Sequence, residues 1–407
     1  MDDSELAAWV RLTATPGVSR AAQRRLLAAF ASPQAALQAA PAALRNVVDA
    51  DTAAALAEPA ATFAALLDAT RAWLAAGTDA LPRRLVTLAD AEYPALLLAT
   101  ADPPVLLHAA GRLSRLATPA VAIVGSRSAT AQGLDHARAF GRQLSERGLA
   151  VVSGLAAGID GAAHDGALHS AAGGTIAVVG TGLDIVYPAR HRDLAARIAA
   201  DGLVLSEYPL GTPPLAENFP RRNRIIAGLA RGTLVVEAAL NSGSLITARL
   251  ALEMGREVFA IPGSVHSPQA RGCHRLIQQG AKLVETVEDV VEELGWGAAV
   301  GTRAGRARSG TAAAGGAQER LFGDGGEGEG EADGEGKVPG ADDDRDDAGR
   351  GEDALLAALG HDPMTLDALS ARTGWTAAAL GARLLDLELA GEVARLPGGL
   401  LQRRAQG

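Results

Sequence analysis

Three guanidiniums fall within four positions in Phe219-Pro-Arg-Arg-Asn-Arg-Ile-Ile-Ala-Gly228: Arg221, Arg222 and Arg224, directly after an aromatic and a proline. Arginine forks grip phosphate oxygens in pairs, and an exposed aromatic beside them offers a base a face to stack on. With Asn223 as a further donor, the chemistry on offer is recognition of a phosphate chain that carries bases. The plainer reading of such a run is a solvated helix face. Pro220 suits the first turn of a helix, where a missing N–H is no loss. The segment therefore reads as a helix over Arg221 to Ala230, its basic end displayed and its apolar end buried.

Three further stretches offer anion-sized turns. Gly125-Ser126-Arg127-Ser128-Ala129-Thr130 follows an apolar run and opens a helix, so amides, a hydroxyl and a guanidinium converge at a positive helix end. Ser153-Gly154-Leu-Ala-Ala-Gly158-Ile-Asp160 has glycines that allow close backbone approach. Asp160 there reads as a helix N-cap, and His164, one turn on, as a packed histidine more readily than as half of an acid–base pair. In Glu237-Ala-Ala-Leu-Asn241-Ser242-Gly243-Ser244, either serine can cap the next helix. Neither GxGxxG nor GxxxxGK[ST] occurs, and the second parallel strand lacks a terminal acid for a ribose, which disfavours a dinucleotide site and a P-loop ATPase. No metal-ligand spacing appears, and no Ser, His and carboxylate set singles out a nucleophile over a cap. No cofactor, metal or catalytic residue is expected.

These turns need a scaffold that gathers them. From 120 to about 290 the chain alternates helical stretches with short Val/Ile-rich runs: Ala120–Val124, Leu149–Val152, Thr175–Val179, Leu203–Ser206, Thr233–Val236, Glu257–Ile261 and Lys282–Val284. Such runs are strands buried on both faces of a parallel sheet, with helices as crossovers. The fold class is α/β: an extended, Rossmann-like, doubly wound, mostly parallel sheet, whose ligands sit at the strands' carboxyl ends. Arg84 to Leu88 and Val105 to Ala109 read as added edge strands. Residues 1–80 read as an Ala-rich helical domain. Its Pro16-Gly17 turn and Ser19 cap fit either a helix-hairpin-helix, with Arg20, Arg24 and Arg25 near a phosphate, or an ordinary αα-turn. The Rossmann-like domain is placed at 83–296. Residues 297–351 lack aliphatics and read as a disordered acidic linker. Residues 352–407 read as three helices and a small hairpin, a winged helix. Its third helix carries only Arg383 against Asp386 and Glu388, a poor endowment for entering a major groove.

The chain of 407 residues carries a net charge of −9, which taken whole argues against a nucleic-acid partner. Residues 319–353, however, hold 14 acids and 4 bases, a net of −10, so the remainder stands at +1 with its basic residues in local clusters. The single cysteine, Cys273, excludes an intrachain disulfide. The absence of a membrane-length apolar run and the acidic start, Met-Asp-Asp-Ser-Glu, point to the cytoplasm, with no membrane association.

Val121-Ala-Ile-Val-Gly-Ser-Arg127, Val151-Val-Ser-Gly-Leu-Ala-Ala-Gly-Ile-Asp160, Thr175-Ile-Ala-Val-Val-Gly-Thr-Gly-Leu-Asp184, Phe219-Pro-Arg-Arg-Asn-Arg-Ile-Ile226 and Ser242-Gly-Ser-Leu-Ile-Thr-Ala248, in this order, resemble the DNA-processing protein A family (DprA, also called Smf). The resemblance implies a dimeric single-stranded DNA-binding protein, not an enzyme. Such a protein shields incoming strands in natural transformation, displaces single-strand-binding protein and helps load the RecA recombinase. It also implies a phosphate pocket of Gly125, Ser126 and Arg127; Ser153 and Gly154; Arg222, Asn223 and Arg224; and Ser242, Gly243 and Ser244. Phe219 is then the stacking residue and Arg221 an accompanying cation. Two positions depart from the family pattern: Ala157 stands where an arginine is common, and His274 where Gly-x-Asn-x-Leu-Ile has asparagine. Two other classes compete. One is a nucleotide-processing enzyme of the lysine-decarboxylase-like phosphoribohydrolase type, echoed by Glu237 with Asn241 to Ser244 but lacking the Pro-Gly-Gly-x-Gly-Thr run. The other is an interaction protein whose turns merely cap helices.

Overall fold

A computed structural model describes residues 1–296, 351–360, 363–390, 392–396 and 398–403. The expected linker over 297–351 falls, but for its last residue, outside them. Nine strands form one sheet: β1 (Arg83–Thr87), β2 (Leu106–Gly111), β3 (Ala120–Val124), β4 (Ala150–Ser153), β5 (Thr175–Val178), β6 (Leu203–Ser206), β7 (Gly232–Val235), β8 (Glu257–Ala260) and β9 (Lys282–Leu283). Their order is β1-β2-β6-β5-β4-β3-β7-β8-β9. From β6 to β9 every pairing is parallel, while β1 and β2 extend the sheet antiparallel beside β6. This is the doubly wound α/β class expected. Of the two added strands, only β1 is an edge.

The strands are buried on both faces because successive side chains serve different cores. Val121 and Ile123 of β3 join Val151, Leu234 and Phe259 in one cluster. Ala120, Ala122 and Val124 join Val152, Val235 and Ala260 in the other. Period-two alternation with no polar face is what a sheet covered by helices on both sides requires. On the first side the Ala131–Glu146 and Ile159–Ala167 helices touch backbone to backbone. A Cβ on Gly141 would lie 2.4 Å from the Ala163 carbonyl oxygen, and one on Gly166 2.1 Å from that of Arg138.

Six helices occupy the N-terminal region, from Asp3–Ala14 to Phe63–Ala75. Ser19 caps the Arg20–Phe30 helix by accepting from the Ala22 amide, as the hairpin reading required. Leu12, Leu26, Leu44 and Leu56 form a small core of their own. Leu6, Trp9, Val10 and Leu67 instead pack on Leu85, Val105 and Leu106, so these helices rest on the antiparallel end of the sheet. Near the C-terminus, helices Gly351–Leu359, Leu366–Thr373 and Ala377–Leu389 pack around Leu369, Leu380 and Leu384 beside the hairpin Val393–Arg395/Leu401–Arg403. Arg383 pairs with Asp386 and Arg395 with Glu388. Among the described residues no helix is long and apolar enough to cross a membrane.

The strand order reverses at β3, which pairs with β4 on one side and β7 on the other. The loops leaving β3 and β7 therefore part to opposite faces and leave a crevice between them.

Candidate nucleic-acid interface

A cavity of about 520 Å³ occupies that crevice. Gly125, Ser126 and Arg127 line it from the loop after β3; Phe219, Arg222 and Asn223 from the Asn218–Leu229 helix; and Ser242, Gly243 and Ser244 from the turn after β7. Three separated sequence motifs thus meet in one place. Close approach is what their glycines permit: a Cβ on Gly125 would lie 2.6 Å from Ile159 and 2.9 Å from the Glu237 carbonyl oxygen. The Ser244–Glu253 helix begins at Gly243 without a side-chain cap, and the Ser242 and Ser244 hydroxyls lie 2.7 Å apart beside it. The Ser244, Leu245 and Ile246 amides already donate to Ser242 Oγ, the Ser242 carbonyl and the Gly243 carbonyl, so what this turn offers an anion is its two hydroxyls at a positive helix end.

The arginine cluster divides by side-chain fate. The helix starts at Asn218 rather than Arg221, with Pro220 still inside its first turn. This turns Arg222 and Arg224 inward, to 4% and 7% exposure, and leaves only Arg221 displayed, paired with Glu217 at 3.1 Å. The expectation that the whole basic end is displayed is thus corrected. Arg222 forms part of the cavity wall. Its Nη2 donates to the Gly154 carbonyl at 2.8 Å, while its buried Nε has no protein partner. Arg224 does not line the cavity. Its guanidinium binds both oxygens of Glu207 and the Asp102 carbonyl, and its Nε lies 3.1 Å from the Asp102 carboxylate. Arg20 and Arg24 join the same two acids, so these two hairpin arginines hold the N-terminal helices to the sheet domain, while Arg25 is exposed.

Ser153 and Gly154 are also spent internally. Ser153 Oγ is fully buried and donates to the Ile123 carbonyl at 2.6 Å. Gly154 is glycine because of Arg222: a Cβ there would fall 1.5 Å from its guanidinium. The turn continues through Leu155, a non-glycine residue at φ 57°, held by full burial of its side chain and by its amide on His164 Nε2. Asp160 is not an N-cap; Gly158 holds that position. Its carboxylate accepts instead from the Gly154 and Ala156 amides at 3.0 and 3.4 Å. Burial raises the Asp160 carboxyl above the ordinary range against the opposing pull of Arg222, and burial likewise lowers the Arg222 guanidinium. His164 is the packed histidine expected, its Nδ1 2.7 Å from Thr175 Oγ1. Burial, with Arg222 nearby, pushes it down to about 3. Glu237 is committed as well: both carboxylate oxygens bind Thr130, through its amide at 3.0 Å and its hydroxyl at 2.5 Å.

What remains free is Arg127. It is exposed, no carboxylate pairs with it among the described residues, and its guanidinium carbon stands 5.4 Å over the Phe219 ring. Tyr187 also packs on Phe219, ring centroids 5.4 Å apart and planes tilted by 39°. A smaller cavity of about 310 Å³ adjoins this pair, lined by Arg127, Ala157, Tyr187, Arg190, Phe219 and others. Sequence reasoning missed Tyr187 and Arg190. The signal was there: an aromatic followed three positions later by arginine, the spacing of Phe219 and Arg222.

A family model described as DNA recombination-mediator protein A matches residues 84–295, and one described as the DprA winged helix domain matches 339–399. Protein Smf of Escherichia coli strain K12 is 42% identical over 325 residues, 79% of this chain and 78% of that protein. The chain belongs to the DNA recombination-mediator protein A family. The DNA processing protein DprA of Streptococcus pneumoniae strain R6 is 52% identical over 207 residues, 51% of this chain and 73% of that protein. The solved structure of the S. pneumoniae DprA superimposes with a TM-score of 0.61 at 39% identity, covering 72% of this chain and 98% of that one. A Helicobacter pylori DNA processing protein A, described for its single-stranded DNA binding mode, is 31% identical with a TM-score of 0.47 over 52% of this chain and 95% of that one. Both departures from the family's sequence pattern now have a location. Ala157 lies at the cavity beside Tyr187, where the cations are Arg127, Arg190 and Arg222. His274 donates through Nε2 to the Gly263 carbonyl at 3.0 Å and so holds the turn after β8.

Proposed function

We propose that this member of the family binds single-stranded DNA along the switch-point crevice. In this reading it shields incoming strands and promotes RecA loading in natural transformation and recombination, acting in the cytoplasm as a homodimer and displacing single-strand-binding protein. The observation that carries the DNA reading is Arg127, a displayed guanidinium over an aromatic ring at the mouth of a cavity whose inner wall includes Arg222 with an unpartnered buried Nε. A guanidinium for phosphate beside a ring for a base suits an unpaired strand, whose bases are free to turn outward. Family membership, with its recombination-mediator description, supports the RecA and single-strand-binding-protein partners. Gly125, Ser126, Arg127, Arg222, Asn223 and the Ser242–Gly243–Ser244 turn would hold phosphates, with Phe219 stacking a base. Ser153, Gly154 and Arg224 would act from behind, as supports.

The reading is one of binding and not catalysis. The phosphoribohydrolase alternative draws on Glu237, and both oxygens of that carboxylate already serve Thr130.

The test is fluorescence anisotropy with oligo-deoxythymidine and a matched duplex. Wild type is expected to prefer the single strand and to weaken steeply with salt. Arg127→Ala is expected to weaken single-strand binding about tenfold or more, the scale of one hydrogen bond to a charged group. Equal binding of strand and duplex, or an Arg127→Ala variant that binds like wild type, would overturn the assignment.

A further inference from the structure

Beyond Phe219 the surface does not return to a neutral face. A third cavity, of about 400 Å³, runs between the Ala131–Glu146, Ile159–Ala167 and Arg192–Asp201 helices. It shares Arg127 with the switch-point cavity, and both Arg127 and Arg190 with the smaller cavity beside Tyr187. The three adjoin one another through these shared arginines. Arg138 and Arg197 line the third, and the only carboxylate on its walls among the described residues is Asp165, 3.8 Å from Arg138 Nε and 2.9 Å from Arg197 Nη1. Four arginines thus face one acid on the walls, with a second, Asp135, beside the groove 3.3 Å from Arg138 Nη1. The contrast with the Arg20–Arg24–Arg224 cluster is instructive: there, three guanidiniums meet two carboxylates and nothing is left for a ligand. In the groove, Arg190 is exposed and no carboxylate pairs with it among the described residues. A row of cations in excess over its acids repels itself in a concave surface, and an anion of matching length laid along it relieves that repulsion.

We propose that the strand path continues past Phe219 and Tyr187 into this groove, which forms a second phosphate-binding tract built on Arg138, Arg190 and Arg197 and tempered by Asp165. The proposal rests on the single-strand reading above. The crevice engages the bases and backbone of a few nucleotides; the groove engages the backbone that follows, having several arginines on its walls and, as its one ring among the described residues, His191, which is held on the Leu155 carbonyl. Asp165 sets its strength by holding two of the arginines in partial neutrality.

Oligonucleotide length separates the two sites. Anisotropy is measured with oligo-deoxythymidines of about four and about twenty nucleotides, spanning the site sizes of small strand-binding modules. For the doubly substituted Arg138→Ala/Arg197→Ala protein, the short probe is expected to bind as to wild type. The long probe should bind about tenfold or more weakly, with a salt slope shallower by about 0.7 for each phosphate that is no longer held. Asp165→Asn, which frees the Arg197 guanidinium and leaves Arg138 with Asp135 alone, is expected to tighten the long probe and leave the short one alone. Matching responses of short and long probes, or no response from either variant, would overturn the second tract while the crevice assignment stood. Wild-type protein that binds neither probe would overturn both.

Discussion

Arg127 and Arg224 carry the same side chain and opposite tasks. Arg127 faces solvent over Phe219, whereas Arg224 neutralises Glu207 and Asp102 at 7% exposure. Their substitutions should separate accordingly. Arg224→Ala leaves Glu207, 12% exposed, without its closest cation and is expected to lower stability by about 3 kcal/mol in urea unfolding. Arg127→Ala should leave the unfolding midpoint where it is. An Arg224→Ala protein that loses strand binding at undiminished stability would reverse the two roles. Residue type and spacing drew attention to the arginines and Phe219 but could not tell a displayed guanidinium from a buried, paired one. The partners that decide it, Asp102 and Glu207, lie 122 and 17 positions away in sequence. Tyr187 and Arg190 went unseen for the same reason: their meaning comes from Phe219 and Arg127, which the fold brings beside them.

At the scale of elements the sequence was far more legible. The short Val-, Ile- and Leu-rich runs gave the parallel strands to within a residue or two, because a segment buried on both faces has no polar position to blur its ends. The Asn218–Leu229 helix was placed three residues late, since proline is tolerated anywhere in a first turn and marks it only loosely. The close packing of the Ala131–Glu146 helix on the Ile159–Ala167 helix had no sequence signature that its glycines do not share with glycines elsewhere. It carries a prediction of its own. Gly141→Ala and Gly166→Ala each press a methyl group onto a carbonyl of the facing helix and should cost about 1–3 kcal/mol. Gly148→Ala, at φ 79° with open space around it, isolates the backbone penalty alone and should cost less. Equal losses in thermal melts would show that helix packing is not what those glycines serve.

Across the whole molecule, two buried histidines on different strands' surroundings make stability depend on pH. His108 packs in β2 with its ring 5.9 Å from Trp73, and burial lowers it to about 4. His164, fully buried, is lowered to about 3. Both values lie below that of an unfolded histidine, about 6.5, so the unfolded chain takes up protons first. Their contribution is complete above about pH 6.5 and is lost as pH falls, by about 1.4 kcal/mol per histidine at about pH 5.5. Asp160 acts in the opposite sense, because its raised carboxyl favours the fold at low pH. The comparison of wild type with His108→Gln therefore isolates one histidine: the variant's thermal midpoint should fall less between about pH 7 and about pH 5.5. Parallel curves would contradict the assignment.

The bond between Thr130 and Glu237 has a consequence at this largest scale. It ties the start of the helix that follows β3 to the loop that follows β7, across the point where the two halves of the sheet diverge. A tie across that point limits how far the two halves can part, and so how wide the crevice between them can open. An opening of limited width sorts what enters by thickness and is indifferent to sequence. Cutting the tie, as in Glu237→Gln with Thr130→Val, should show itself first as a loss of discrimination between thin and thick polyanions, before any loss of grip.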